Sequence, residues 1–237
     1  MKILITADLH LRNKWFAWLL AQAPYFDLIA IAGDLLDMFS STPRLDQTRD
    51  VSRWLRELSK ITRVAVCSGN HDIAGRQITK DRAPVYEWLA RLGDSPRICT
   101  DGSTHLLEEI LVTELPYHCS EEQKSIWLDR GISIRRSRGT PWFVLHHVPP
   151  IAYPGSTQEE SEAAKLLIRY QPDYFVSAHS HQFPYFDGHR WAMNVGTVTV
   201  LFPGQLLSAD TPNHILVDTA TRRMSWQTAS QIWIPEK

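Results

Sequence analysis

Three short apolar runs open the chain, at residues 2–7, 28–32 and 64–68, with helical patterns in the gaps between them. The first gap holds residues 13–23, an amphipathic segment ended by Pro24. The second holds residues 44–62, where Val51, Trp54, Leu55, Leu58 and Ile61 recur at the three- and four-residue spacing of one helix face. Runs this short read as strands. A strand–helix–strand–helix–strand order predicts an α/β fold with parallel opening strands, because each helical crossover carries the chain back to start the next strand in the same direction.

Beyond residue 80 the pattern is more mixed. Residues 83–92 read as a helix, and segments 96–101, 104–108 and 110–115 as short strands. Residues 121–136 read as a helix that Gly131 should divide or end early. A strand is expected at 141–146, a helix at 158–170 and a strand at 174–178. Turn signals at Asp187-Gly188, Pro203-Gly204 and Thr211-Pro212 predict antiparallel strands in the last sixty residues. The segment 149–158, with Pro149, Pro150, Pro154 and Gly155, reads as a mobile surface loop. At 237 residues, without repeats or a linker, one domain across 1–237 is expected.

A formal net charge of -1 gives no global pull toward nucleic acid or an anionic membrane, although Arg135, Arg136 and Arg138 form a local basic cluster that reads first as a solvated helix end. No apolar run nears the roughly 20 residues that span a bilayer, and the opening run, interrupted by Asp8 and His10, reads as a buried strand and not a secretion signal. Cys67, Cys99 and Cys119 are odd in number, widely spaced and free of any CxxC pair, as expected for reduced thiols of a cytoplasmic protein.

The strand ends carry the chemistry. They read Ala7-Asp8-Leu9-His10, Gly33-Asp34-Leu35-Leu36-Asp37, Gly69-Asn70-His71-Asp72, His146-His147-Val148-Pro149-Pro150 and Ala178-His179-Ser180-His181. Each alone is ordinary: an Asp-x-His is commonly a helix cap, and Gly-Asn a turn. In an α/β fold, however, the crevice outside the carboxyl ends of the strands is where ligands bind, so segments distant in sequence can meet there. Asp8 and His10, like His179 and His181, are two residues apart and can point to one face. Carboxylate, amide and imidazole donors together suit first-row divalent metals, and two such ions roughly 3.5–4 Å apart activate a bridging water and clamp a phosphoryl group. His71, next to Asn70, can face the substrate and protonate a leaving oxygen, with Asp37 orienting it.

In this order the segments resemble the calcineurin-like metallophosphoesterase family, whose pattern D-x-H, G-D-x-x-D, G-N-H-D/E, H, G-H-x-H is followed from residue 8 to residue 181. Two positions depart from it, Ala178 for a glycine and Ala7 for serine or glycine, and neither is a ligand position. The resemblance implies an α/β/β/α sandwich of two mixed β-sheets flanked by helices. It implies two divalent ions, manganese foremost and iron, zinc or nickel as alternatives. One would be held by Asp8, His10, Asp34 and His181. The other would be held by Asp34, Asn70, His146 and His179, with Asp34 shared. For the fourth ligand it points to His146, and strand alternation lets only one of His146 and His147 face the metals. His71 matches the catalytic histidine and Asp37 its partner. The implied activity is hydrolysis of a phosphate ester, in particular a phosphodiester, by in-line attack of a metal-bridging hydroxide with His71 as general acid. A nucleotide or nucleic acid is the implied partner, and no membrane. A DNA-processing nuclease and a non-catalytic protein-binding scaffold are the alternative readings. His105, His118, His189 and His214 are expected to be structural or surface residues, and Tyr117 likewise. Residues 194–197, Asn-Val-Gly-Thr, are expected to form a turn.

Overall fold

A computed structural model of the chain describes residues 1–73, 87–150, 157–181 and 190–228, together with the backbone of 231–233. The three opening runs form β1 (Lys2–Thr6), β2 (Leu28–Ala32) and β3 (Arg63–Cys67), which pair in parallel in that order. The helices between them are α1 (Asn13–Gln22) and α2 (Arg44–Ile61). Pro24 ends α1 by starting a 3-10 turn at Ala23–Tyr25, since a proline lacks only the N–H that a first turn leaves unpaired.

β4 (Ile98–Cys99) extends this sheet on one side. The C-terminal strands β11 (His214–Asp218), β12 (Arg223–Thr228) and β13 (Gln231–Trp233) extend it on the other, β11 running antiparallel to β1. A second sheet of six strands has the order β5 (Ser103–Leu107), β6 (Ile110–Leu115), β7 (Trp142–His146), β8 (Tyr174–Val176), β10 (Val198–Leu201), β9 (Ala192–Val195). Its middle strands are parallel, and its two edges, β5/β6 and β9/β10, are antiparallel hairpins.

Side chains alternate across each strand, and this alternation builds three layers of core. Ile3 and Ile5 of β1 point between the sheets and meet Val112, Phe143, Leu145 and Val176. Leu4, Ile29, Ile31, Val64 and Val66 point outward onto Trp15, Leu19, Val51, Leu55 and Leu58 of α1 and α2. On the far side, Leu111, Trp142, Val144 and Phe175 pack on Leu128, Leu166 and Leu167. These three leucines belong to α4 (Glu121–Arg138) and α5 (Gln158–Tyr170). The result is two mixed sheets face to face, with helices outside both.

Gly131 neither divides nor shortens α4. The helix runs unbroken through it to Gly139, whose φ of 66° supplies the left-handed cap. A Cβ at Gly131 would collide with the Trp142 ring, so the missing side chain is the gap that lets the indole reach the helix. The expected helix at 83–92 falls partly outside the described residues. Its described part is α3 (Glu87–Ala90), followed by a 3-10 turn at Arg91–Asp94. Residues 151–156 of the proline-rich loop also lie outside the described residues, as do His189 and the turn at 187–188. Gly196, at φ 61°, makes the expected turn between β9 and β10.

Candidate metal centre

Each motif sits just past the C-terminal end of a strand: Asp8 and His10 after β1, Asp34 after β2, Asn70 and His71 after β3, His147 after β7, His179 and His181 after β8. The β1 and β2 loops are laced together by Asp8 N–H to the Gly33 carbonyl (3.0 Å), His10 N–H to Asp34 (2.9 Å) and Leu11 N–H to Leu35 (3.0 Å). Among the described residues nine non-glycine residues have positive φ, and five of them are Asp8, His10, Asp34, His179 and His181. Such conformations cost about 1–3 kcal/mol each and persist only where surrounding contacts enforce them. Their concentration on the proposed ligands means the fold places these side chains at the expense of stability. Gly33 (φ 88°) and Gly69 permit the close approach: a Cβ on Gly69 would collide with the Asp34 carboxylate, and one on Gly33 would lie 2.6 Å from the His147 ring.

Donor atoms of Asp8, His10, Asp34 and His181 all lie within 4.8 Å of one another. His10 Nε2 is 3.0 Å from His181 Nε2 and 3.9 Å from Asp34 Oδ2, and His181 Nε2 is 3.5 Å from Asp8 Oδ1. The second half of the cluster shares Asp34. His147 Nε2 is 3.3 Å from Asp34 Oδ2 and 3.2 Å from Asn70 Oδ1, and His179 Nδ1 is 2.8 Å from the same amide oxygen.

His146 is not part of this cluster, contrary to the sequence-based expectation; His147 takes its place. Along β7, Phe143 and Leu145 face the space between the sheets, while Trp142 and Val144 face the helices. By the same alternation His146 points outward to Lys124 of α4, with Nε2 3.2 Å from the ammonium, and His147 points inward to the centre.

These residues fit a pair of divalent ions. Asp8 Oδ2 is buried without a hydrogen-bond partner, as expected of an oxygen reserved for a cation. His147 Nδ1 donates to the Ala32 carbonyl at 2.7 Å, which leaves the Nε2 lone pair of the neutral ring aimed at the centre. The charges agree. Burial pulls His147 down, but the Asp34 carboxylate carries it up to about 9, and its hydrogen bond to Asp8 raises His181. Burial would raise Asp34, but the His147 charge and hydrogen bonds hold it well below the usual carboxylate range. Positive charge on these imidazoles would offset the carboxylates in the way a metal does.

His71 is held differently from His147. Its Nδ1 accepts the Met38 N–H at 3.1 Å, so the neutral ring carries its proton on Nε2, the opposite tautomer to a ligand that offers Nε2. Asp37 lies 3.7 Å from that Nδ1, outside hydrogen-bond reach, and its Oδ1 accepts from Phe39 N–H at 2.9 Å instead. The backbone of Met38 therefore does the orienting expected of the Asp37 side chain. Burial lowers the pKa of His10, His71 and His179 against the opposing pull of the nearby carboxylates.

Two residues acquire places that the sequence reading did not give them. Tyr117, expected to be structural, has its ring 5.7 Å from that of His147 and 6.0 Å from that of His179, with its N–H held by Ser68 Oγ at 3.0 Å. Asp72, the last residue of its motif, is fully buried. Its Oδ2 accepts from Asp34 N–H and Gly69 N–H, and its Oδ1 from Leu35 N–H and Leu36 N–H, all at 2.8–2.9 Å. Burial and the Asp34 charge push its carboxyl up to about 7, against four N–H donors that favour the ionised form. His214 is structural as expected, packed on Trp18 and bonded to Pro212 and Gln227.

The family of calcineurin-like phosphoesterases matches residues 1–183. The chain belongs to this family. Among solved structures, TT1561 of Thermus thermophilus overlays with a TM-score of 0.66 at 18% identity, covering 96% of this chain and 98% of that one. A dimetal phosphatase from Danio rerio overlays at 0.52 with 11% identity, covering 96% and 95%. At such identities the likeness is one of fold. The human serine/threonine-protein phosphatase CPPED1 is 30% identical over 124 residues, half of this chain but 38% of that protein's length.

If His147 is a ligand and His146 is not, His147→Ala should weaken manganese binding by more than about a hundredfold, since loss even of an outer partner costs roughly 10–100-fold. His146→Ala should leave binding within about threefold while lowering stability, because Lys124 loses its buried partner. Calorimetric titration of both variants checks this. In the wild-type protein, binding should weaken as the pH falls below about 9, because His147 must shed a proton to ligate.

Proposed function

We propose that this chain hydrolyses phosphate esters with two divalent ions, manganese foremost, and that phosphodiesters are its preferred substrates. Asp8, His10, Asp34 and His181 would hold one ion, and Asp34, Asn70, His147 and His179 the other. When bound, the ions supply Lewis acidity toward the phosphoryl oxygens and a nucleophile from water at neutral pH. The strained loops hold the donors in place before any ion or substrate arrives. His71, with Nδ1 held by Met38, presents Nε2–H as a hydrogen-bond donor to the leaving oxygen; transfer of a proton to it would take the imidazolium form, with the Asp37 carboxylate 3.7 Å from Nδ1 as its counter-charge.

The observation that carries the diester preference is the neutral wall. Burial shifts the two rings beside the ligands, His71 and Tyr117, toward their uncharged forms, and the Arg44 charge that reaches His71 is shared with Asp34, Asp37 and Asp72. Neutral rings around two ions suit the single negative charge of a diester better than the double charge of a monoester. The nuclease reading draws no support from Arg135, whose guanidinium caps the Gln171 carbonyl at 2.8 Å and pairs with Asp173 at 2.7 Å, a structural use. No helix among the described residues is long and apolar enough to cross a membrane. Free thiols at Cys67, Cys99 and Cys119 support a reducing setting such as the cytoplasm.

The likeness to CPPED1 favours a second reading, a monoesterase acting on phosphoserine or phosphothreonine. A manganese-supplemented panel separates the readings: bis-p-nitrophenyl phosphate, p-nitrophenyl phosphate, cyclic nucleotides, a phosphoserine peptide, and single- and double-stranded DNA. Higher kcat/KM on the diesters is expected. Preference for p-nitrophenyl phosphate or the peptide overturns it, and selective DNA cleavage favours the nuclease. Within the panel, His71→Asn should slow esters with poor leaving groups far more than p-nitrophenyl esters. Equal losses would remove the acid role.

A further inference from the structure

We propose that Phe39 is a specificity-determining residue that receives a planar, aromatic leaving group, an aryl or nucleobase-bearing alcohol, as phosphorus is released from it; this rests on the phosphoesterase reading above. Phe39 is 83% exposed, the most exposed large apolar side chain among the described residues. Burying a phenylalanine is a large gain that this segment forgoes.

The exposure is built in and not the slack of a loose loop. The Asp37 carboxylate accepts the Phe39 N–H at 2.9 Å, and the Asp37 carbonyl accepts from Ser40 N–H at 3.2 Å. The buried side chain of Gln47 ties the segment down from inside, accepting from Asp37 N–H at 3.1 Å and donating to the carbonyls of Asp37 (3.1 Å) and Thr42 (2.7 Å). A loop fixed by this many bonds presents the ring to solvent in one place.

That place is beside the reacting groups. The Phe39 ring meets the His71 ring edge to face, with centroids 5.4 Å apart at 73°, and His71 in turn lies 4.5 Å from His10. The three rings form a line from the surface to the candidate ligands. A leaving oxygen that takes a proton from His71 has the rest of its alcohol beyond His71, where the free ring of Phe39 stands. Met38, 41% exposed beside it, widens the apolar shelf. Tyr117, near His147 and His179 at the other end of the cluster, leaves this end to Phe39. An exposed ring gains most from a flat partner, which can stack at an offset without disturbing the loop.

The test uses the full chain loaded with manganese and two phosphonates, phenylphosphonate and methylphosphonate, each as its singly charged monomethyl ester, titrated calorimetrically into wild type, Phe39→Ala and Phe39→Trp. In the first ligand the phenyl group stands where the leaving group would. Wild type should prefer phenyl- over methylphosphonate by about tenfold. Phe39→Ala should reduce the preference to within about twofold with methylphosphonate affinity unchanged, and Phe39→Trp should retain it. A preference that survives Phe39→Ala, or affinities for both ligands that fall together, overturns the proposal. If methylphosphonate fails to bind wild type, the phosphoesterase reading itself fails, and the proposal with it.

Discussion

Asp34→Asn is expected to reduce hydrolysis of bis-p-nitrophenyl phosphate by on the order of a thousandfold, and to lower the stability of the metal-free protein as well. The activity loss follows from the position of the two oxygens. Oδ1 accepts the His71 N–H at 2.8 Å, and Oδ2 faces His147 at 3.3 Å and His10 at 3.9 Å, one ring from each half of the cluster. An amide that keeps the His71 bond turns its NH2 toward both halves, where a donor repels a cation. Removal of an outer partner of a metal ligand already costs roughly 10–100-fold, so loss of the shared ligand should exceed that. The loss of stability follows from the charge, since a carboxyl held well below the usual range stabilises the fold in its ionised form. The fold loses the ion pair with His147, and relief of the Asp34 repulsion of Asp72 offsets only part of that loss. Metal content after equilibration with excess manganese should fall from two ions to one. Retention of two ions, or activity within about tenfold of wild type, would refute Asp34 as the shared ligand.

The sequence was most legible where one periodicity decides one element. β2 and α5 match their expected bounds, and α2 falls one residue short, because apolar spacing and flanking turn residues agree there. It was least legible where the deciding partner is remote. Gly131 looks like a helix breaker until Trp142 fills the space above it. His146 and His147 are equivalent in sequence; only the identity of the sheet face that meets the other sheet, fixed by β1 and β6 far away, separates them. The two tautomers could not be read at all, because they depend on the Ala32 carbonyl and the Met38 N–H, backbone groups that carry no residue signature. Phe39 escaped notice for a related reason: a phenylalanine in a polar loop announces nothing until its neighbour is known to be His71.

Asp72 shows most plainly what a motif conceals. Asp72→Ala is expected to lower stability by about 4 kcal/mol or more, because it leaves the N–H groups of Asp34, Leu35, Leu36 and Gly69 buried without acceptors, each at about 1–3 kcal/mol. Asp72→Asn should cost about half as much. Its one oxygen can serve either the Leu35 and Leu36 pair or the Asp34 and Gly69 pair, and its NH2 then points donor to donor at the other. One effect opposes this: burial and Asp34 push the Asp72 carboxyl up to about 7, so a neutral side chain escapes an unfavourable charge. If that effect dominated, Asp72→Asn would stabilise the protein. Four donors against one displaced proton favour the loss, and denaturant unfolding of both variants at pH 7.5 reads the sign directly. The functional consequence should follow the structural one, since the same four bonds hold the β2 loop against the β3 loop and so set the position of Asp34 relative to Asn70. Manganese affinity should therefore fall in Asp72→Asn although the residue touches no ion. A variant that is destabilised yet binds metal normally would show that Asp72 supports the fold alone.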